Sequence, residues 1–592
     1  MASIRWLYMP GTLRRPSFSR WRFVTHRSIC PGLHHRLQIQ IPPGGSFRGF
    51  AAPLVMPGGR FTRPDIITNN IMSTDSAKEV LQAISNEITN PDLNLINVSA
   101  AIVRIAHLQD TLTADVRADP QFRVLFALGR SMLRSVAKRG KTSEHRICGN
   151  IFWAVAKMDQ QMSAEIASLR AASLEAVKAT ASHMNEQGIS NSVWAVAVLQ
   201  LPQAERDEVL DACATRLPDV LNKLEPQHVA NILWGTASLR NRAVRLLPKI
   251  PLLQRAAERV LPDVNKQDIV DILWACAKLK DVPELLTVVP MFVPLVHKHL
   301  SELSARRLAM VIWSIAELHQ ESAASVQFLP QLLGAFTKVD PGKLSPQDMS
   351  GVLWAVATLG ELREVEAKRG KLCKLACQLD GTFGASDVAV TLWSVGLPNL
   401  DPAASAPLLQ RMCKEARSTL SSFGPLQISN ACLGLALSGW KDASLMAAFA
   451  DAMVKKIHSA DTDVATMCLP PVMYSLAKLQ MPGHQPLMNV CVATFNSVVS
   501  TVSDVALGDL AWSFEKLDSE DRYRDFRAAL QNEVTKRGIS ATQVEHRERG
   551  PETWLQGEDD FLLPEPEGRN EPSKGLRFIY HLGNLGIHRL RL

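Results

Sequence analysis

The sequence predicts an all-α fold, an α-solenoid of about eleven helix–turn–helix repeats of ~40 residues each. The first observation is a tryptophan that recurs at steps of 39 to 41 residues. The second is the likeness of the segments around it, such as NIFWAVAKM, NILWGTASL and GVLWAVATL. The third is that a fixed period of about 20 to 50 residues is typical of stacked-repeat architectures. The seven tryptophans are Trp153, Trp194, Trp234, Trp274, Trp313, Trp354 and Trp393.

The same register continues on both sides of these tryptophans. Downstream it meets Leu433, Tyr474 and Trp512, and upstream it meets Val103 after a longer step of 50 residues, which indicates an insertion. We call the recurring position the marker and name each repeat, or unit, after its marker. Three residues past the marker stands Ala or Gly in ten of the eleven units, and five residues past it stands Leu or Met in nine. Small residues at a fixed place on a helix favour close helix packing.

Each unit divides into two helices. In the Trp234 unit, EVLDACATRLPDVLNKL has apolar residues at helical spacing, which predicts an amphipathic first helix. EPQ then forms the turn, and HVANILWGTASL is apolar almost all round, which predicts a buried second helix. Proline in EPQ, in SPQ (345–347) and in GPLQ (424–427) marks the first turn of a second helix. Such a helix pair buries its apolar faces by stacking on its neighbours.

Both ends of the chain differ from the repeats. Residues 1–64 contain ten arginines and no acidic residue, a composition typical of an organellar transit peptide. The alternative is a basic arm that stays attached and binds nucleic acid. The segment 519–540 is charged and amphipathic, and the segment that follows is acidic and rich in Pro and Gly. We therefore predict a disordered transit peptide at 1–64, a leading helix at 65–92, the solenoid at 93–518, a capping helix at 519–540 and an acidic Pro/Gly-rich tail at 541–592.

Removal of the transit peptide changes the charge of the chain. Without its ten arginines the whole-chain net charge of +7 falls to −3, from 55 basic and 58 acidic residues. A nucleic-acid site would therefore be a local basic stripe, since the mature surface has no general positive field. We expect the mitochondrial matrix as the destination, with the plastid as the alternative, because no apolar signal segment precedes the basic region.

No enzyme chemistry stands out from the repeats. The ten cysteines form no CxxC pair, so we expect them to be core thiols and predict no metal site. The sequence also shows no nucleophile–base or paired-carboxylate arrangement. We therefore predict no catalytic residues, no cofactor and no enzymatic activity. No run approaches the ~18 consecutive apolar residues of a membrane span, so we predict none.

Three series of residues recur with the repeat and are candidate functional positions. The marker tryptophans, Trp512 included, lie among apolar neighbours and are expected in the core, although aromatic rings can also stack on RNA bases. Each of two polar series has a structural and an RNA-binding interpretation. The first is an amide or carboxylate that either ties neighbouring turns together or contacts RNA. The second is a lysine that either complements the helix dipole or contacts a phosphate. The amide or carboxylate series, three before the marker, is Asn150, Asn191, Asn231, Asp271, Asn430 and Asp509. The lysine series, four after the marker, is Lys157, Lys278, Lys478 and Lys516.

The segments PQHVANILWGTASL and PQDMSGVLWAVATL resemble the second helix of octotricopeptide-type repeats. They are also similar to the helical repeats of FAST-kinase-like proteins and of the RNA-editing substrate-binding complex six domain. The resemblance covers residues 93–540 and implies sequence-dependent binding of organellar transcripts. The chain lacks the PPPEW-like segment of many octotricopeptide repeats and shows no clear RAP domain, which places it among binders without their own catalyst.

The resulting hypothesis is a non-catalytic mitochondrial protein that binds single-stranded RNA in transcript processing, stability, editing or rRNA maturation. By the logic of one base per repeat it would cover about ten nucleotides. The alternative hypothesis is a protein-binding scaffold of an organellar RNA-processing or ribosome-assembly complex, which the near-neutral mature charge favours.

Overall fold

The computed structural model describes residues 63–140, 142–159, 163–199, 201–320, 326–359, 363–397, 402–458, 460 and 462–539. These residues are mostly helical and include no β-strand, so the fold is an all-α solenoid of stacked helix pairs. Nearly all of the predicted transit peptide, and the tail from residue 541 onward, lie outside the described residues.

Every marker residue lies on the second helix of a pair. These second helices pack side by side in chain order and form one continuous inner layer. Their bounds, from the Val103 unit to the Trp512 unit, are Leu95–His107, His145–Met158, Glu186–Leu199, Pro226–Leu239, Lys266–Lys278, Ala305–Glu317, Pro346–Thr358, Ala385–Gly396, Pro425–Ser438, Thr462–Lys478 and Asp504–Leu517.

Most first helices pack against the second helix of the preceding unit, and several also pack against neighbouring first helices, so that they form a second layer. In the Trp234 unit the buried residues Val209, Leu210, Cys213, Leu217 and Val220 follow the apolar spacing of the sequence. The first helices, in the same order, are Ala77–Ser85, Pro120–Arg139, Ala164–Thr180, Gln203–Val220, Ile250–Val260, Val289–Lys298, Leu329–Phe336, Arg363–Gln378, Pro402–Thr419, Ala443–Ile457 and Gln485–Phe495.

The segment 65–92, predicted as one leading helix, holds two, Arg63–Met72 and Ala77–Ser85. The interruption has a local cause, because the Ser76 hydroxyl accepts a hydrogen bond from the Glu79 N–H and so starts a new helix. Arg63–Met72 packs on the second helix of the Val103 unit, as the second helix of a preceding unit would.

Three further helices complete the described chain. The long step before Trp153 is filled by the short helix Ala114–Ala118 and by the first helix of that unit, which is 20 residues long. Pro283–Leu286 precedes the first helix of the Trp313 unit. Arg524–Arg537, within the segment predicted as a capping helix, packs on the second helix of the Trp512 unit.

The second helices begin as the proline pattern predicts. Pro226, Pro346 and Pro425 each stand in the first turn of their helix. In the Trp354 unit the Ser345 hydroxyl accepts from the Asp348 N–H at 3.1 Å, and the Asp348 carboxylate accepts from the Ser345 N–H at 3.2 Å. This reciprocal pair satisfies backbone N–H groups that have no partner within the helix.

Small residues past the marker allow the second helices to approach closely. Ala237 and Ala277 are almost completely buried between neighbouring units. The closest approach joins the Trp393 and Leu433 units, where a Cβ added to Gly396 would overlap the carbonyl oxygen of Gly434. The inner layer therefore tolerates little extra volume at these positions.

Arginines connect successive units by donating to carbonyls at the C-terminal end of the preceding first helix, a contact that the sequence analysis missed. Arg411 donates to the backbone carbonyls of Ala376, Cys377, Leu379 and Gly381 at 2.9 to 3.1 Å. In the same way, Arg259 donates to two carbonyls of the preceding unit, and Arg537 donates to three. Because helix C-termini leave carbonyls without intrahelical partners, these cations satisfy acceptors and complement the helix dipole.

Candidate nucleic-acid interface

One side of each second helix combines four positions of the repeat. Positions seven and three residues before the marker, the marker itself and the position four after it share one helix face, because their spacings are three or four residues. We call this the marker face. On His145–Met158 it consists of Arg146, Asn150, Trp153 and Lys157, all half-buried. The marker face is the candidate site because every series singled out from the sequence lies on it.

The amides three before the marker connect neighbouring units in the N-terminal part of the stack. The Asn191 amide Nδ2 donates to Asn150 Oδ1 at 3.0 Å, and Gln187 Nε2 donates to the same oxygen at 3.1 Å. Arg146 Nε donates in turn to Gln187 Oε1 at 2.9 Å. In the next unit Asn231 Nδ2 donates to Ser190 Oγ at 3.3 Å. These bonds agree with the structural interpretation of the amides, although Asn150 and Asn231 stay half-buried.

In the C-terminal part of the stack the same series is buried. Asn430 is 2% exposed and Asp509 is 1% exposed. Asp271, in the middle of the stack, is half-buried. Asn430 Oδ1 has no hydrogen-bond partner among the described residues. A ligand on the surface does not reach Asn430 or Asp509 in this structure, because the adjoining second helices cover them, and both are therefore withdrawn as RNA contacts.

The lysine series divides in the same way. Lys478 and Lys516 are exposed and Lys157 is half-buried. Lys278, by contrast, is 7% exposed, and its ammonium lies 5.9 Å from the ring centroid of Trp274 and 5.5 Å from that of Trp313. A cation over two aromatic faces stabilises the contact between units. Lys278 is therefore a packing residue in this structure and not a phosphate contact.

The marker tryptophans form a ladder of rings through successive units. Centroids of neighbouring rings are 5.9 to 6.0 Å apart from Trp153 to Trp274, and again 6.0 Å apart between Trp313 and Trp354. Six of the eight are 0 to 8% exposed: Trp234, Trp274, Trp313, Trp354, Trp393 and Trp512. Trp153 and Trp194 are half-buried, which departs from the expected core position. Their rings are the part of the ladder that a ligand can reach.

His107 extends the ladder at its N-terminal end. The centroid of its ring lies 5.1 Å from that of Trp153. His107 stands four residues after the marker Val103, the position that Lys157 holds in the Trp153 unit. Burial, together with the charges of Lys157 and Arg104, lowers the pKa of His107 to about 4. His107 is therefore uncharged at neutral pH and adds an aromatic surface to the ladder without a charge.

A further series, seven residues before the marker, escaped the sequence analysis. In the units from Trp153 to Trp354 it is a half-buried residue with hydrogen-bonding groups, and it comprises Arg146, Gln187, Gln227, Gln267, Arg306 and Gln347. In the last three units the equivalent residues are Leu426, Met467 and Val505, also half-buried. The sequence signal for this series is the glutamine of the recurring PQ segment, which also marks the start of a second helix. The position seven before the marker is thus polar from the Trp153 unit to the Trp354 unit and apolar in the last three units.

The cysteines lie in the core. All cysteines within the described residues are buried except Cys377, which is half-buried, and Cys30 lies outside those residues. Burial raises the pKa of the Cys213 thiol to about 12, which keeps it protonated and unreactive. No group of His, Cys, Asp or Glu within the described part of the chain is arranged to hold a metal ion. Nor is any helix there both long and apolar enough to cross a membrane.

Two comparisons with known proteins bear on this arrangement. Residues 320–519, which hold the units from Trp354 to Trp512, match the family described as the N-terminal domain of the Tbc2 translation factor. A chloroplastic RAP domain-containing protein from Oryza sativa subsp. japonica is 33% identical over 102 residues. That stretch is 16% of this chain and only 14% of the rice protein. Over part of its length the chain is thus similar to a chloroplastic, and so organellar, protein and to the N-terminal domain of a translation factor.

Proposed function

We propose that the chain is a non-catalytic, organellar protein that binds single-stranded RNA along the marker face. The observation that carries the proposal is the row of half-buried residues seven before the marker, one in each unit from Trp153 to Trp354. Glutamine and arginine side chains offer hydrogen bonds to base edges, and a repeat protein can place one such group at each base. The similarity to a translation-factor domain supports a transcript as the ligand.

The role in the organelle follows from binding alone. A protein that covers a stretch of transcript acts in its processing, stability, editing, rRNA maturation or translation by protecting that stretch or by recruiting other factors. No group of residues in the described part of the marker face is arranged as a nucleophile with its base, so we assign the chemistry to partner proteins. The proposal therefore includes protein partners of an RNA-processing complex.

Crosslinking in isolated organelles tests RNA binding. The tagged mature chain is irradiated in organelles, and the bound RNA is recovered and sequenced. We expect one or a few transcripts with a footprint of about ten nucleotides, one base for each unit. A variant with Gln187→Ala, Gln227→Ala and Gln267→Ala should lose this preference while it keeps its fold, because these side chains are half-buried at the surface. RNA recovery no higher than from an untagged sample would refute the proposal.

For the destination we propose the mitochondrial matrix, supported by the ten arginines and absent acids of residues 1–64. The chloroplastic rice relative supports the alternative, the plastid. Fusion of residues 1–64 to a fluorescent protein separates the two, with a fusion in which the arginines are replaced by glutamine as the control. We expect mitochondrial fluorescence that depends on the arginines; plastid fluorescence decides for the alternative, and cytosolic fluorescence rejects import.

The second candidate function, a protein-binding scaffold, is favoured by the C-terminal part of the marker face. There Leu426, Met467 and Val505 are half-buried apolar residues at the positions that carry glutamine or arginine elsewhere. A salt titration distinguishes the two functions. Binding to RNA phosphates weakens steeply as salt rises, because counterions are released on binding, whereas an apolar protein interface responds little.

A further inference from the structure

Two tryptophans of the ladder differ from the rest in exposure and not in spacing. Trp153 and Trp194 are half-buried, and their ring centroids are 6.0 Å apart. Trp313 and Trp354 have the same separation of 6.0 Å, yet each is only 4% exposed. Rings at this separation can therefore be fully packed, and the spacing of the ladder does not by itself account for the exposure of Trp153 and Trp194.

The position four after the marker differs between the Trp194 and Trp274 units. On the Trp274 unit this position is Lys278, whose side chain lies over the rings of Trp274 and Trp313. On the Trp194 unit the same position is Val198, which is shorter and uncharged and is itself half-buried. The aromatic surface of Trp194 thus has no lysine lying over it from its own helix.

Polar groups lie along the marker face beside the two half-buried rings. Arg146, Gln187, Asn150 and Asn191 form a chain of hydrogen bonds of 2.9 to 3.1 Å along the marker face beside the rings. Because each amide is held by its neighbours, the chain is ordered before any ligand arrives. Lys157 adds a cation 5.3 Å from the centroid of Trp153. The site therefore combines an aromatic surface, fixed amides and two cations.

We infer that Trp153 and Trp194 form a base-stacking subsite for single-stranded RNA, an inference that rests on the proposed function. An unpaired base stacks on the accessible part of the indole rings, the half-buried amides of Gln187 and Asn150 contact its edge, and Arg146 and Lys157 attract the adjoining phosphates. Stacking on aromatic side chains suits any base, since every base has a π-face. The subsite therefore anchors the RNA at the N-terminal units, while the positions seven before the marker distinguish sequences further along.

The combination of groups favours RNA over a protein ligand at this place. A protein interface would be expected to offer a mainly apolar surface at its centre, as Leu426, Met467 and Val505 do in the C-terminal units. Beside Trp153 and Trp194, by contrast, amides and cations adjoin an exposed ring. This arrangement matches the base edge, the π-face and the phosphate that every nucleotide presents together.

Indole fluorescence tests the inference directly. The probe is RNA selected from a random single-stranded pool on the wild-type full-length chain. We compare the wild type with the double variant Trp153→Phe and Trp194→Phe, which keeps aromatic rings in the ladder. The matched control is Trp313→Phe with Trp354→Phe, a pair with the same ring separation but only 4% exposure. RNA should quench the wild type and the control, and most of this quenching should disappear in the Trp153/Trp194 variant.

Affinity provides the second readout. Replacement of both residues by leucine removes the stacking surface, and RNA binding should weaken by about 5- to 100-fold, whereas the phenylalanine pair should retain most of the affinity. Thermal melts establish that all variants are folded. RNA binding with unchanged quenching in the Trp153/Trp194 phenylalanine variant would overturn this inference and leave the proposed function standing. Failure to select any RNA on the wild-type chain would overturn the proposed function itself.

Discussion

The ammonium of Lys278 lies 5.5 Å from the ring centroid of Trp313, which belongs to the next unit of the stack. Its own unit supplies the ring of Trp274 at 5.9 Å. Lys278 thus contacts the marker rings of two successive units. Lys278 was a candidate phosphate contact, and in the structure it instead stabilises the packing of two successive units.

The first prediction concerns the stability that Lys278 provides. Lys278→Ala should lower the free energy of unfolding by about 1–3 kcal/mol, because it removes a desolvated cation–π contact and a buried aliphatic stem. Lys278→Met keeps the stem and should lose less. Chemical denaturation of both variants measures the effect. A fully stable Lys278→Ala protein whose RNA binding depends less on salt would show instead that the lysine contacts a phosphate.

The second prediction concerns a buried marker. Trp234 is 4% exposed, so Trp234→Ala should destabilise the chain by about 3–5 kcal/mol, and Trp234→Phe should restore most of the loss. Each unit contacts its neighbours, so hydrogen exchange should show the damage concentrated in the adjoining units. Val244→Ala, at a residue that is 64% exposed, is the control and should be nearly neutral. Uniform loss of protection along the whole stack would contradict this local response.

The sequence was sufficient for the fold because the same physical requirement repeats. Each second helix needs a large apolar marker and a small residue three positions later, so Trp234 and Ala237 predict the helix and its buried face together. The three second helices for which the sequence predicts an initial proline accordingly begin at it. The leading segment was mispredicted because its only interruption is the cap at Ser76, a local signal without a periodic counterpart.

The candidate site was less predictable because exposure depends on the neighbouring unit. Lys157 and Lys278 hold the same position in their repeats, yet only Lys278 lies between two tryptophan rings. The burial of Asn430 likewise results from helices on either side of its own. A single repeat carries no information about such neighbours, so these differences require the assembled stack.

The third prediction concerns the close approach of two second helices. Gly396→Ala should destabilise the chain by about 1–3 kcal/mol, because its Cβ would overlap the backbone of Gly434 and push the Trp393 and Leu433 units apart. Gly370→Ala is the matched control, since its Cβ would meet only the Ala404 Cβ at an ordinary 3.6 Å. That change should stabilise its helix by up to about 1 kcal/mol. Equal melting temperatures for the two variants would show that the inner layer is less tightly packed than described.

The last prediction uses the buried carboxyl of Asp268, a residue that is 3% exposed at the start of the second helix of the Trp274 unit. Burial raises the pKa of Asp268 to about 6 from its ordinary 3.8, although the Asn265 N–H and the charge of Arg307 oppose the shift. Between about pH 4 and pH 6 the folded chain therefore holds a proton that the unfolded chain has lost. The contribution of this group to the free energy of unfolding is complete below pH 4 and is lost as the pH rises through 6.

Asp268→Asn removes this dependence and keeps an oxygen that can accept from the Asn265 N–H, which now donates to Asp268 at 3.2 Å. Relative to the wild type, the variant should therefore gain stability between pH 4 and pH 7. Denaturant titrations at the two pH values measure the difference, and Asp263→Asn, at an exposed position in the preceding turn, controls for the loss of a negative charge. If the stability difference between variant and wild type is the same at both pH values, the Asp268 carboxyl is hydrated, and the start of this helix is more open than its burial indicates.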